Sequence, residues 1–168
     1  MKQLLVLRHG KSSWSHPELA DIDRPLNKRG KRTTPRMAEL IHDRYPDLSL
    51  ILSSPATRAR DTARAVLASF NDQIRLGLEP DLYHAYPDEI SQTLAQCGDG
   101  HDCVMIVGHN PGLEEWVHEL DRDFCDPLPT AGLVALECPI DSWQEITLGN
   151  SACRITGLYL PREQFPDL

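Results

Sequence analysis

The chain has 168 residues, of which 40% are hydrophobic and 25% charged, a composition that suits one folded domain and excludes a disordered segment. The formal net charge of -8 is unevenly placed: residues 1–64 hold 13 basic against 7 acidic side chains, and residues 65–168 hold 4 against 18. An acidic chain with only 6% aromatic residues argues against a nucleic-acid partner and requires any anion site to be built from local cations in the first third.

The elements alternate along the chain. Strands are predicted at 3–7 (QLLVL), 48–53 (LSLILS), 102–108 (DCVMIVG), 133–138 (LVALEC) and 154–160 (RITGLYL). Helices are predicted over 27–45, 55–70, 87–97 and 111–120, with Pro55 suited to a first helical turn and Pro35 expected to kink or restart the first helix. Residues 71–101 and 121–130 read as loop-rich apart from the helix at 87–97. The apolar strands lack strict alternation, which implies a sheet covered on both faces. The expected architecture is a single α/β domain over residues 1–168, a three-layer α/β/α sandwich with a mostly parallel central sheet.

The N-terminal apolar run is four residues long and leads directly into charge, unlike a signal peptide, and no apolar stretch is long enough to span a membrane. A cytoplasmic protein without a membrane partner is expected. Cys97, Cys103, Cys125, Cys138 and Cys153 make an odd set without a CxxC pair. That pattern predicts reduced thiols, neither a disulfide framework nor a zinc site. The seven histidines show neither HxH nor HExxH spacing, so no metal is expected.

Chemistry is expected where strands end, because open parallel sheets form their sites at the carboxyl edge. The first strand runs into Arg8-His9-Gly10, another into Gly108-His109-Asn110-Pro111, and a third into SSPATRARDT, which carries Arg58 and Arg60. Any one of these has an ordinary reading as a loop histidine or a solvated helix charge. Three strand ends bringing His9, His109 and Arg58 to one edge, with Arg8, suit phosphoryl chemistry. Guanidinium forks match phosphoryl oxygens, and an imidazole can serve as nucleophile. No GxxxxGK[ST] or GxGxxG segment is present, so nucleotide-dependent chemistry is not supported.

LVLRHGKS, followed in order by DIDRPLNKRG, SSPATRARDT and VGHNPGLEE, resembles the histidine phosphatase superfamily, and within it the SixA-type phosphohistidine phosphatases. The resemblance runs over nearly the whole chain. It implies a phosphoglycerate mutase-like fold, no cofactor and no metal. It implies His9 as the nucleophile that becomes phosphorylated, Arg8 and Arg58 as holders of the phosphoryl oxygens, and His109 as the group completing the pocket, protonated to balance charge. Asp23 and Arg24 of DRPL read as structural, and Arg60 as a solvated helix charge.

The family's mutase-like members carry a mid-chain glutamate as general acid. Here that region reads LEPDLYHAYPDE, leaving Asp81, His84 and Glu89 as candidates or no acid at all. A leaving imidazole has a conjugate-acid pKa of about 6.5, against roughly 16 for an oxygen leaving group near water. Absence of the acid therefore favours a P–N substrate. The expected partner is a phosphohistidine protein. A small phosphorylated molecule is the alternative, and a non-catalytic phosphate-binding protein is a third reading.

Overall fold

Successive residues of the first strand point to opposite faces of the sheet, and both faces are covered. In the computed structural model, which describes residues 1–148 and 152–168, β1 (Lys2–Arg8) is followed by α1 (Lys28–Arg44), β2 (Leu50–Ser53), α2 (Thr57–Ser69) and β3 (Arg75–Leu78). Then come α3 (Pro87–Cys97), β4 (Cys103–Gly108), α4 (Gly112–Leu120), β5 (Leu133–Cys138), β6 (Arg154–Tyr159) and the short α5 (Pro161–Gln164). The six strands form one sheet in the order β3-β2-β4-β1-β5-β6. Pairings from β3 through β1 are parallel, and β5 and β6 are added antiparallel.

Leu5, Leu7, Ile51, Met105 and Val107 face α1 and α2, where they meet Met37, Ile41, Ala59, Ala63 and Val66. Leu4, Val6, Leu52, Val104 and Ile106 face the opposite layer, with Ile90, Leu94, Leu113, Trp116 and Trp143. Each fully buried side chain of this size contributes about 1.5–3 kcal/mol, so the strand cores account for their lack of polar alternation. Trp116 is completely buried, and its Nε1 donates to Ser91 Oγ at 2.8 Å, which removes the cost of an unpaired indole N–H. No helix among the described residues is long and apolar enough to cross a membrane.

Two expectations are corrected, on residues 75–78 and on the cysteines; the first helix, in turn, does not restart at Pro35 but continues through it as α1. Pro35 lies on the exposed face, where the carbonyl that loses its bond can be hydrated. Residues 75–78, read as loop, form β3, an edge strand whose partial exposure left no apolar run to detect. Cys138 and Cys153 are joined in a disulfide, against the expectation of five reduced thiols. Antiparallel pairing of β5 and β6 brings these two distant cysteines side by side; Cys97, Cys103 and Cys125 are free.

Candidate active site

Sheet register assembles the site. Arg8 at the end of β1 pairs with Gly108 at the end of β4, and Ser53 at the end of β2 pairs with Val107. The segments RHG, GHNP and SSPATR, distant in sequence, therefore leave the sheet side by side. The backbone N–H of His9 donates to Gly108 O at 3.1 Å, that of Ala131 bonds both Arg8 O and His9 O, and Gly10 N donates to Thr62 Oγ1 of α2 at 2.9 Å. Gly10 and Gly30 are both required by close packing here: a Cβ on Gly30 would lie 2.3 Å from Lys11 O, a backbone atom that cannot step aside.

His9 is 7% exposed. Its Nδ1 lies 2.7 Å from Gly10 O. A carbonyl only accepts, so Nδ1 carries the proton and Nε2 keeps the lone pair. Burial pushes the ring's pKa down to about 4; Arg58, Arg8 and Arg24 act in the same direction, and the bond to Gly10 opposes them. His9 is thus a neutral, oriented imidazole near pH 7.

His109 lies beside it, with ring centroids 5.0 Å apart. Its Nε2 is 2.8 Å from Ser54 Oγ, and its Nδ1 is buried without a hydrogen-bond partner. Burial first, then His9 and Arg58, lower its pKa to about 3. Without a bound anion, desolvation first and the neighbouring Arg58 keep His109 neutral; its expected protonation concerns the state with a phosphoryl group bound.

Arg8 donates through one terminal nitrogen to Leu128 O at 3.0 Å, while its Nε is buried and unpartnered. Burial lowers its pKa, opposed by the Glu114 carboxylate. Glu114 also accepts from Leu128 N and Asn110 Nδ2, so one carboxylate fixes the loops on both sides of the site.

Arg58 is nearly fully buried and donates to Asp21 O at 2.7 Å and Asp21 Oδ2 at 3.0 Å. Its charge acts on both imidazoles. Asp21 also accepts from Tyr83 OH at 2.6 Å and Arg24 at 3.1 Å, and His84 Nε2 lies 3.2 Å away. Tyr83, then Arg58, His84 and Arg24, hold its carboxyl well below the usual carboxylate range, against the opposing effect of burial.

The sequence reading did not single out Asp21, Tyr83, Ser54, Thr62 or Glu114. In DIDRPL, Asp23 is exposed, whereas Asp21 reaches the arginines. Arg24, read as structural, binds Ser12 Oγ, Ser13 O and Asp21, stacks 3.3 Å over the Trp14 ring and acts electrostatically on His9.

Of the three acid candidates, His84 reaches this edge. Its ring stacks on His109 with centroids 5.7 Å apart, and its backbone φ of 51° is one that histidine adopts more readily than most residues. Glu89 is instead engaged at the start of α3, accepting from Tyr86 N. Together with Asp81 it lines a separate cavity of about 130 Å³. Arg60 faces Asp61 at 3.5 Å on α2 and takes no part in the cluster around His9. Among the described residues, no group of three or more His, Cys, Asp or Glu side chains is arranged to hold a metal ion.

The model of the histidine phosphatase superfamily (branch 1) matches residues 4–84. An uncharacterized chloroplastic protein of Arabidopsis thaliana is 29% identical over 171 residues, covering 95% of this chain and 78% of its own. The crystal structure of an Agrobacterium tumefaciens protein assigned as phosphohistidine phosphatase SixA superimposes with a TM-score of 0.80 at 29% identity, over 95% of this chain and 98% of that one. The protein histidine phosphatase SixA in complex with tungstate shares the fold with a TM-score of 0.79 at 22% identity, over 96% of this chain and 99% of that one.

Proposed function

We propose that the chain belongs to the histidine phosphatase superfamily, whose model matches residues 4–84, and that residues 1–168 form one metal-independent phosphatase domain whose intermediate is a phosphohistidine on His9. The observation that carries this is the His9 ring: neutral, with Nδ1–H held on Gly10 O and Nε2 left as the nucleophilic nitrogen. His9 Nε2 attacks phosphorus while the bond to the leaving group breaks. Water then attacks the phosphorus of the phosphorylated ring, an O–P bond forms as the Nε2–P bond breaks, and phosphate leaves.

Arg8 Nε and His109 Nδ1 are buried polar atoms without partners. Leaving such atoms unpaired costs about 1–3 kcal/mol each, a cost that bonds to phosphoryl oxygens would remove. A bound dianion would also raise the pKa of His109, allowing it to take up charge as the phosphoryl group transfers. Arg58 supplies the second guanidinium.

A P–N bond is the favoured target. Asp21 is held ionised by its partners, and Glu89 and Asp81 lie at another cavity. None of these three carboxyls is thus placed to protonate a poor leaving group, whereas a departing imidazole does not need a carboxylic acid. Trp14 and Tyr86, 76% and 70% exposed, sit next in sequence to site segments and offer contact area for a protein substrate. The reading is therefore a phosphohistidine phosphatase. A small-molecule phosphatase remains the second reading, favoured by the concave cavity that Arg8 also lines.

Rapid quench with labelled phosphohistidine protein, phosphoramidate and sugar phosphates tests it. Acid-labile, base-stable label on the His9 peptide, with phosphohistidine or phosphoramidate turned over fastest, is expected. No label there, together with a His9→Ala protein that turns over normally, would end the reading.

A further inference from the structure

A cavity of about 470 Å³ is lined by Arg8, Lys11, Arg29, Leu160, Arg162 and Glu163 among others, and neither His9 nor His109 is part of its lining. Lys11, Arg29 and Arg162 are exposed, and among the described residues none of them forms an ion pair. Four cations and one carboxylate on one concave wall stand out in a chain of net charge -8. Three segments distant in sequence supply them: the end of β1 with the loop after it (Arg8, Lys11), the first turn of α1 (Arg29) and α5 (Arg162, Glu163).

The start of α1 adds to this charge. Lys28, Arg29, Lys31 and Arg32 crowd its first turns, with no acidic residue there; Arg29 lines this cavity, while the other three border a neighbouring one. Cations at a helix N-terminus oppose the helix dipole, where carboxylates are the stabilising choice. Local helix stability therefore does not explain this charge, whereas an anion received beside it does: both the dipole and the cations would favour it.

We propose that this cavity is a subsite for a second anionic group, a carboxylate or a phosphate, carried by the same substrate as the scissile phosphoryl group. The proposal rests on the reading that Arg8 holds that phosphoryl group. Arg8 borders both sites, so an anion seated against Arg29 and Arg162 belongs to a substrate whose two charges flank one guanidinium. Two sources share this chemistry: a bisphosphate or phosphocarboxylate of small size, and an acidic side chain neighbouring a phosphohistidine.

The test uses the full chain carrying His9→Ala, so that ligands bind without turnover. Affinities are measured by calorimetry for a hexose monophosphate against the corresponding bisphosphate, and for phosphohistidine peptides with Gln or Glu beside the phosphohistidine. In at least one pair the doubly anionic ligand should bind about tenfold tighter or more. Adding Arg29→Gln and Arg162→Gln should shrink that ratio below about twofold, whereas Arg29→Lys with Arg162→Lys should preserve most of it. The pair that shows the effect identifies the source. Equal affinities within both pairs, or a ratio that survives the Gln variants, would overturn the subsite. Failure of the phosphatase reading is registered separately, as the absence of a phosphorylated His9 in the wild-type protein.

Discussion

His9 should stay uncharged far below the pH at which an ordinary histidine protonates. Its pKa is lowered to about 4, with burial as the largest cause and Arg58, Arg8 and Arg24 adding to it against the Gly10 bond. At pH 5.5 a ring with that pKa is about 97% neutral, whereas one with the unperturbed value of about 6.5 is about 9% neutral. Lowering the pH from 7.5 to 5.5 should therefore cost the nucleophile almost nothing, where an ordinary imidazole would lose about tenfold. The direct assay is NMR titration of ring-labelled histidine in the free protein, with His9→Ala to assign the resonance. In Arg58→Gln the titration should move upward, because one of the cations disfavouring imidazolium is gone. The same shift governs stability. Both His9 and His109 have folded-state pKa values below their unfolded ones, so their contribution is full above about pH 6.5 and is lost as pH falls through the folded values. Near pH 5 unfolding should take up about two protons from this pair, a slope of roughly 3 kcal/mol per pH unit. A His9 ring that titrates between pH 6 and 7, or stability indifferent to pH between 6.5 and 4, would refute the reasoning.

Asp21→Asn should bind tungstate or phosphate about tenfold tighter, since it removes a negative charge held against Arg58, while costing stability of about 1–3 kcal/mol through the lost ion pair; unchanged inhibition constants would count against Arg58 as an oxyanion holder. His84→Ala should reduce turnover of alkyl phosphates more than of phosphoramidates if the ring stacked on His109 assists an oxygen leaving group; equal reductions in steady-state kinetics would deny it that role. Turnover should persist after dialysis against EDTA, because Arg8, Arg58 and the two imidazoles supply the charge a metal would; loss of activity restored by a divalent ion would contradict this.

Much of the protein was legible in one dimension because the signals are local. Four-residue apolar runs marked β1 and β4, since a strand buried on both faces cannot hide its composition. Arg8, His9 and His109 declared themselves by following those runs, and β1–β4 pairing in register made their meeting a consequence of the sheet. What tertiary structure decided was of another kind. Asp21 could not be distinguished from Asp23 in DIDRPL, because only the folded loop sets one carboxylate against Arg58, Arg24 and Tyr83 and leaves the other in water. Asp81, His84 and Glu89 all stood as acid candidates in the sequence, and only the fold separates them: a left-handed backbone carries His84 toward His109, and the start of α3 engages Glu89. The charge of His109 in the free protein was not legible for the same reason: protonation depends on desolvation and on neighbours drawn from four separate segments. Cys138 and Cys153 pair because β6 folds back on β5. Strand composition is a property of consecutive residues, whereas charge state, pairing and partner choice are properties of distance, and only the packed chain fixes distances.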